Sequence, residues 1–309
     1  MRIFLIGQAA FGQDVFTRLR QAGEEIVAVA APAQSLSGRA DRLWDAADAA
    51  GVPAFELGGL DNAATQAAVA SLAPQLGVMA FVSELISTAV LNLPEHGTIQ
   101  YHPSLLPRHR GRSSINWAII EGDRTTGVSI FWPDEGLDTG PLLLQREVEI
   151  GADDTTGSIY YDKLYPLGLD MFVEAVALVA AGGAPRTAQD ESKATYERPC
   201  TEQLVRVDWR RPAQAVYDLI RGADPSPAAW TRHTGRKLRL LDARLRPPVD
   251  AGAGVIASLG DDGMLVGGSG GALLIRKLQG EEGAAAAAAE FAAANGLTVG
   301  ERFLNPARA

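Results

Sequence analysis

The chain is almost without cysteine: Cys200 is the only one in 309 residues. One thiol excludes an internal disulfide framework and any zinc site built on cysteines, and it fits a reducing compartment. Histidine is scarce as well, with four in the whole chain. No apolar run approaches the roughly 18 residues that a membrane span needs, so no membrane partner is expected. The first apolar stretch, Met1-Arg2-Ile3-Phe4-Leu5-Ile6-Gly7, is too short for the core of a signal peptide and turns at once into a glycine-containing loop, which predicts the first strand of a cytoplasmic protein. There is no strongly basic half either. Residues 1–200 hold 14 Lys and Arg against 25 Asp and Glu, and residues 201–309 hold 14 against 12. That distribution weighs against a chain that lives on nucleic acid.

What is present is a globular composition, 47% hydrophobic and 21% charged, with length enough for one large α/β domain or two ordinary ones. Short apolar runs at 2–6, 25–30 and 77–82 alternate with stretches of helical spacing such as Phe11, Val15, Phe16 and Leu19, or Leu43, Ala46, Ala47 and Ala50. The alternation predicts an α/β architecture with a doubly wound, mostly parallel sheet. Further strands are expected at 99–101, 127–132 and 142–150. A long helix is expected from Thr155 to Ala181, opened by Asp153-Asp154-Thr155 and closed by Gly182-Gly183-Ala184-Pro185. The texture then changes. After a polar, turn-rich stretch come a helix at 213–221 and glycine-separated strands at 236–245, 253–259, 263–266 and 272–278, which predict a smaller β-rich, OB-like domain. The alanine run 284–289 reads as helix interior, with Gly296 as its stop. The expected organisation is a catalytic domain over 1–182, a linker over 183–205 and a C-terminal domain over 206–309.

Two loops stand out chemically. In Gln100-Tyr101-His102-Pro103-Ser104-Leu105-Leu106-Pro107-Arg108-His109-Arg110-Gly111, which contains two of the four histidines, His102 closes a strand and is expected at the sheet edge where open α/β folds bind ligands. In Asp134-Glu135-Gly136-Leu137-Asp138-Thr139-Gly140, a glycine-flanked carboxylate sits between two strands, with too few regularly spaced oxygen ligands for a calcium loop. One loop bearing an imidazole and one bearing a carboxylate point to an acid/base site. The first turn, Gly7-Gln8-Ala9-Ala10-Phe11-Gly12, lacks the spacing of a dinucleotide fingerprint because position 9 is alanine, and it reads as a tight structural turn.

These motifs carry a resemblance. His102-Pro103-Ser104-Leu105-Leu106-Pro107, Arg110-Gly111 and Gly136-Leu137-Asp138-Thr139-Gly140 resemble the paired signatures of the folate-dependent formyltransferase family, whose formyl donor is 10-formyltetrahydrofolate. Gly7-Gln8, Phe11-Gly12-Gln13, Tyr101, Ile115-Asn116-Trp117 and Ile130-Phe131-Trp132 are similar to the amino-terminal hydrolase domain of 10-formyltetrahydrofolate dehydrogenase. Asp208-Trp209, Pro212-Ala213, Ile220-Arg221-Gly222 and Ala229-Trp230-Thr231 resemble the C-terminal domain that this family shares with methionyl-tRNA formyltransferase. An aldehyde dehydrogenase domain is not expected to follow.

The resemblance implies that His102 and Asp138 are the catalytic pair. It places Gln100 where the family commonly has an asparagine that holds the formyl oxygen, a position at which the hydrolase domain also lacks asparagine. Glu84, Leu85, Ile86, Leu105 and Asp138 are the implied folate contacts, with Leu85 and Ile86 sandwiching the flat ring. The implied activity is cleavage of the formyl group to give tetrahydrofolate, by hydrolysis or by transfer. The alternatives are methionyl-tRNA or a small amine such as an amino sugar as acceptor, or a folate-binding protein without turnover. No metal or nicotinamide is required. The loop Arg108–Arg112 either attracts anionic groups of folate or RNA or is ion-paired. The segment 32–42 has two arginines, a poor counterpart to the basic insertion of methionyl-tRNA formyltransferases, so tRNA is disfavoured as partner. Cys200 reads as inert, and Trp117 and Trp132 as packing residues.

Overall fold

Apolar runs from the first third of the chain form the middle of a seven-stranded sheet. The computed structural model describes residues 1–34, 38–82 and 84–306. Its first sheet contains β1 (Arg2–Gly7), β2 (Glu25–Ala31), β3 (Ala54–Glu56), β4 (Leu76–Ala80), β5 (Thr98–His102), β6 (Thr125–Phe131) and β7 (Leu142–Glu149), in the order β3-β2-β1-β4-β5-β6-β7. From β3 to β5 all neighbours are parallel, and β6 runs antiparallel to β5. β4 is buried along its whole length and β1 along all but its first residue, as strands covered on both faces must be. The expected doubly wound, mostly parallel sheet is therefore present.

The helix Ala9–Gln21 turns Phe11, Val15, Phe16 and Leu19 into the core, the stripe that the spacing predicts. Its first peptide N–H, that of Ala9, donates to the buried Asp41, whose carboxylate also caps the helix Arg42–Ala49 through Leu43 N. A carboxylate already occupies the helix N-terminus, which gives the first turn its structural role. On the face of β5 opposite His102, Tyr101 meets Phe11 with ring centroids 4.7 Å apart and Phe172 at 6.3 Å. Gly168 lets the helix Tyr165–Ala180 come this close: a β-carbon there would lie 2.5 Å from Tyr101 Cε2 and 3.1 Å from Phe11 Cζ. Overpacking of that kind costs about 1–3 kcal/mol in a close-packed core, so a glycine is needed for the helix to seat on Tyr101 of β5.

The second sheet is antiparallel. It contains β8 (Trp230–His233), β9 (Arg236–Arg246), β10 (Ile256–Gly260), β11 (Gly263–Gly268) and β12 (Gly271–Gln279), ordered β10-β11-β12-β9-β8, with β13 (Ala286–Ala287) added to β12. Trp209, Ile220, Leu240, Leu273 and Phe303 belong to its core. The expected smaller β-rich unit is thus present. Among the described residues, contacts divide the chain into one unit of Met1–Gly111, Gly127–Val148 and Asp162–Tyr196, and a second of Arg112–Thr126, Glu149–Tyr161 and the chain from Glu197 onward. No described helix is long and apolar enough to cross a membrane.

Two local expectations are corrected. The helix expected without interruption from Thr155 to Ala181 is α-helical at Thr156–Ile159, widens to a π-helical turn at Tyr160–Leu164 and resumes at Tyr165–Ala180. Pro166 at the start of the last segment has no N–H to continue the i→i−4 ladder. The alanine run is not helix interior throughout, since Ala286 and Ala287 pair with Leu278 and Lys277 and only then does the helix Ala288–Asn295 begin. An open edge of β12 outweighs alanine's helix propensity there. Gly296 ends that helix in the left-handed conformation, as expected.

Candidate active site

The register of the sheet sets the site. Gln100 on β5 lies between Met79 on β4 and Phe131 on β6. The loops that leave β4 and β6 therefore exit on either side of Gln100, while His102, two residues on and so on the same face, ends β5 and begins the third loop. Among the described residues, each loop holds one non-glycine residue in the left-handed region: Phe81 (φ 60°), His109 (φ 55°) and Asp138 (φ 56°). Such conformations cost on the order of 1–3 kcal/mol each and persist where surrounding structure over-determines them, typically at functional sites.

His102 and Asp138 are brought together and buried. His102 Nδ1 lies 3.6 Å from Asp138 Oδ2. The other ring nitrogen, Nε2, is 2.8 Å from the carbonyl oxygen of His109. A carbonyl only accepts, so Nε2 carries a proton and Nδ1 is the nitrogen turned to the carboxylate. Gly111 N–H donates to the same Asp138 Oδ2 at 2.8 Å. Both partners thus meet one carboxylate oxygen, and no described residue donates to Oδ1. The pair supplies one carboxylate and one uncommitted ring nitrogen, fewer ligands than the three of a catalytic zinc site. Such an arrangement can do acid–base chemistry.

Each loop is tied down from within. Ser129 on β6 donates to the Ser104 carbonyl at 2.7 Å and accepts from Leu106 N at 3.2 Å, fixing the chain that follows His102. Asp134 Oδ1 accepts from Gly136 N at 3.0 Å and from Thr139 Oγ1 at 2.5 Å, closing the Asp138 turn. Gly140 is obligatory in that turn, because a β-carbon there would run into the carbonyl of Trp132.

The expected folate contacts are placed differently from one another. Glu84 is exposed, Leu85 is 84% exposed, and Ile86 leans on the core below β1 and β4. Leu85 thus stands in solvent while Ile86, half-buried, has one side against the core. Leu105 packs on β6, where a β-carbon on Gly127 would come within 2.5 Å of its Cδ2. Two exposed apolar side chains that the sequence reading omitted stand on the same loops as Leu85 and Asp138: Phe81 at 46% and Leu137 at 45% exposure. Phe81 was absorbed into a strand expected to reach residue 82. Its left-handed backbone is what stops β4 at Ala80, and no local pattern announces it.

The basic loop is also clarified. Arg110 is wholly buried, bonded by its guanidinium to both Glu191 oxygens (2.9 and 2.6 Å), to Tyr196 Oη (2.6 Å) and to Gln189 Oε1 (2.8 Å). The bond to Glu191 raises the guanidinium pKa further and holds the Glu191 carboxyl below the usual range. Arg110 is therefore a structural ion-pair member, whereas Arg108 and Arg112 are exposed. Within the segment expected as a linker, residues 187–196 bond along both loops. Thr187 exchanges backbone hydrogen bonds with Leu142, and Thr195 accepts from Arg110 N and donates to Pro107 O. Burial pushes the Cys200 thiol up to about 11, so it is not a thiolate near neutrality. Trp132 is buried and donates to Pro185 O, and Trp117 donates to Arg198 O.

Comparison with known proteins adds the following. Residues 1–176 match the formyl transferase family model, and residues 200–296 match that of the formyl transferase C-terminal domain. The cytosolic 10-formyltetrahydrofolate dehydrogenase of Pongo abelii is 40% identical over 335 residues, covering 100% of this chain and 36% of the dehydrogenase. This chain thus spans about a third of the length of that relative. The methionyl-tRNA formyltransferase of Anaeromyxobacter dehalogenans is 37% identical over 312 residues, covering 96% of this chain and 97% of that protein. Among solved structures, the N-formyltransferase of Helicobacter canadensis in complex with folinic acid and dTDP-3-aminofucose superposes with a TM-score of 0.68 at 12% identity, covering 89% of this chain and 98% of its own.

Proposed function

Because the chain belongs to the formyl transferase family, we propose that it is an enzyme that cleaves the formyl group from 10-formyltetrahydrofolate, with water as the acceptor and tetrahydrofolate and formate as products. The observation that carries this reading is the buried carboxylate whose Oδ2 meets both His102 Nδ1 and Gly111 N–H. Oδ1 is then available to take the proton of an attacking water as its oxygen adds to the formyl carbon. The imidazolium, with Nε2–H committed to the His109 carbonyl, presents Nδ1–H to the developing charge and gives that proton to N10 as the C–N10 bond breaks. Phe81, Leu85 and Leu137 supply apolar surface for a flat ring beside this pair. Glu84 and Leu105 remain proposed contacts of the bound folate.

A second reading has its own support, since the match to a methionyl-tRNA formyltransferase spans nearly all of both chains. Charge opposes it. The net charge is −9, and the basic residues along β9 are paired: Lys237 and Arg239 with Glu202, and Arg244 with Asp153 and Asp242. Purified protein mixed with 10-formyltetrahydrofolate is expected to release tetrahydrofolate and formate without any added acceptor. Neither initiator methionyl-tRNA nor a nucleotide-linked amino sugar should accelerate release, and no complex with the tRNA should form whose affinity falls steeply with salt. Formylation of the attached methionine would replace the hydrolase reading with the transferase one. Binding of a folate analogue with neither release nor transfer would make the chain a folate-binding protein.

Gln100 is the proposed determinant of acceptor choice. Its amide lies on the His102 face, but it is one methylene longer than the asparagine common in the family, which displaces a donor aimed at the formyl oxygen. Gln100→Asn is therefore expected to raise the ratio of transfer to hydrolysis at least about tenfold, part of the 10²–10³ that one oxyanion donor is worth. Parallel assays of formate release and of formyl transfer to an added amine measure that ratio.

A further inference from the structure

The Asp138 turn is held by a side chain 51 residues further along the chain. Gln189 Nε2 donates to the carbonyl of Asp138 at 2.9 Å and to that of Gly140 at 2.6 Å, so one amide group bridges the peptide bearing the carboxylate and the glycine that closes the turn. Gln189 is itself oriented: its Oε1 accepts from Arg110 Nη2, which fixes the amide with its N–H groups toward the turn. Arg110 in turn is locked by Glu191 and Tyr196, two and seven residues beyond Gln189. Its chain neighbours touch the site on the other side, with the His109 carbonyl on His102 Nε2 and the Gly111 N–H on Asp138 Oδ2. One network thus reaches both members of the pair, through the main chain on either side of Arg110 and through the side chain of Gln189.

This supplies the over-determination that Asp138 requires. An aspartate in the left-handed region relaxes unless its neighbours hold it there, and relaxation would swing the carboxylate away from Nδ1. We propose that Gln189 is a positioning residue of the active site, which with Arg110 holds the Asp138 turn in its left-handed conformation, so that the segment 187–196 belongs to the catalytic apparatus. The proposal rests on the reading of Asp138 as the group that accepts the nucleophile's proton. A positioning role differs from a mere staple in what it moves: the chemical step slows far more than ground-state folate binding, which other groups share, is weakened.

The test uses Gln189→Met, which keeps length and volume but removes both donors, and Gln189→Glu, which keeps an acceptor for Arg110 and turns carboxylate oxygen toward the two carbonyls. For each, kcat and KM for 10-formyltetrahydrofolate are measured together with amide hydrogen exchange across the chain. The expected result is a fall in kcat of about 10²-fold, the size of an ångström-scale misplacement, with KM within about twofold of the parent. Exchange should accelerate in 133–141 and not in β1, β4 or β5, with Gln189→Glu affected at least as strongly as Gln189→Met. Unchanged kcat in both variants, or exchange that accelerates over the whole first unit, overturns the proposal in favour of a general packing role. If the parent protein neither releases nor transfers formyl, it is the functional reading that fails. Exchange in 133–141 then still decides whether Gln189 holds the turn, and unaltered exchange there overturns it.

Discussion

Asp138→Asn is expected to lower formyl release by about 10³-fold or more, toward the upper end of what acid–base groups contribute, while the fold and the binding of a folate analogue persist. The substitution is nearly isosteric, and the geometry dictates how the amide must sit. Its oxygen has to take the Oδ2 position, because Gly111 N–H needs an acceptor there. The NH₂ group then occupies the place of Oδ1, so a donor faces the nucleophile where an acceptor is required. Basicity and polarity are lost together, which is why the effect should exceed a simple loss of charge. Single-turnover release of tetrahydrofolate, followed beside calorimetric binding of 5-formyltetrahydrofolate, separates chemistry from binding. Release within tenfold of the parent value would remove Asp138 from the proton-transfer step.

His102→Ala is expected to cost about 10²-fold or more in the same assay. The ring is buried and fixed by the His109 carbonyl, so its removal takes away a proton donor already aimed through Nδ1. It also leaves the Asp138 carboxylate, among the described residues, with the Gly111 N–H alone and exposes the His109 carbonyl to water. A loss confined to kcat fits a proton donor to N10. A loss confined to KM would show that the imidazole serves binding alone, and near-normal turnover would dismiss it altogether.

How much of this was readable in the chain depends on the range of each interaction. The apolar strands and the Phe11–Leu19 stripe were legible because their periodicity is local and burial follows it. The His102 and Asp138 loops were legible as chemistry because histidine is rare and the glycines around Asp138 mark a turn. The π-helical turn at Tyr160–Leu164 and the strand pairing of Ala286 and Ala287 were not, since one depends on how a proline joins two helical segments and the other on a free sheet edge. For Arg110 the sequence left anion attraction and ion pairing both open, because the acidic partner that settles it, Glu191, lies 81 residues away.

The sequence by itself determined that a doubly wound sheet would carry an imidazole at the end of β5 and a carboxylate in a glycine-flanked turn, because strand burial, turn chemistry and residue type act over a few neighbours. It also determined which family motifs stand at those places. Tertiary structure alone decided that both partners meet one oxygen of Asp138, that Phe81 and Leu137 stand exposed on the loops of Leu85 and Asp138 while Ile86 packs partly against the core, and that the polar segment 187–196 is bonded along both loops. Those facts depend on the register of β4, β5 and β6 and on hydrogen bonds made by Gln189 and Arg110 across 51 and 81 residues. A hydrogen bond that closes only when the chain has folded leaves no periodic trace in the order of its residues.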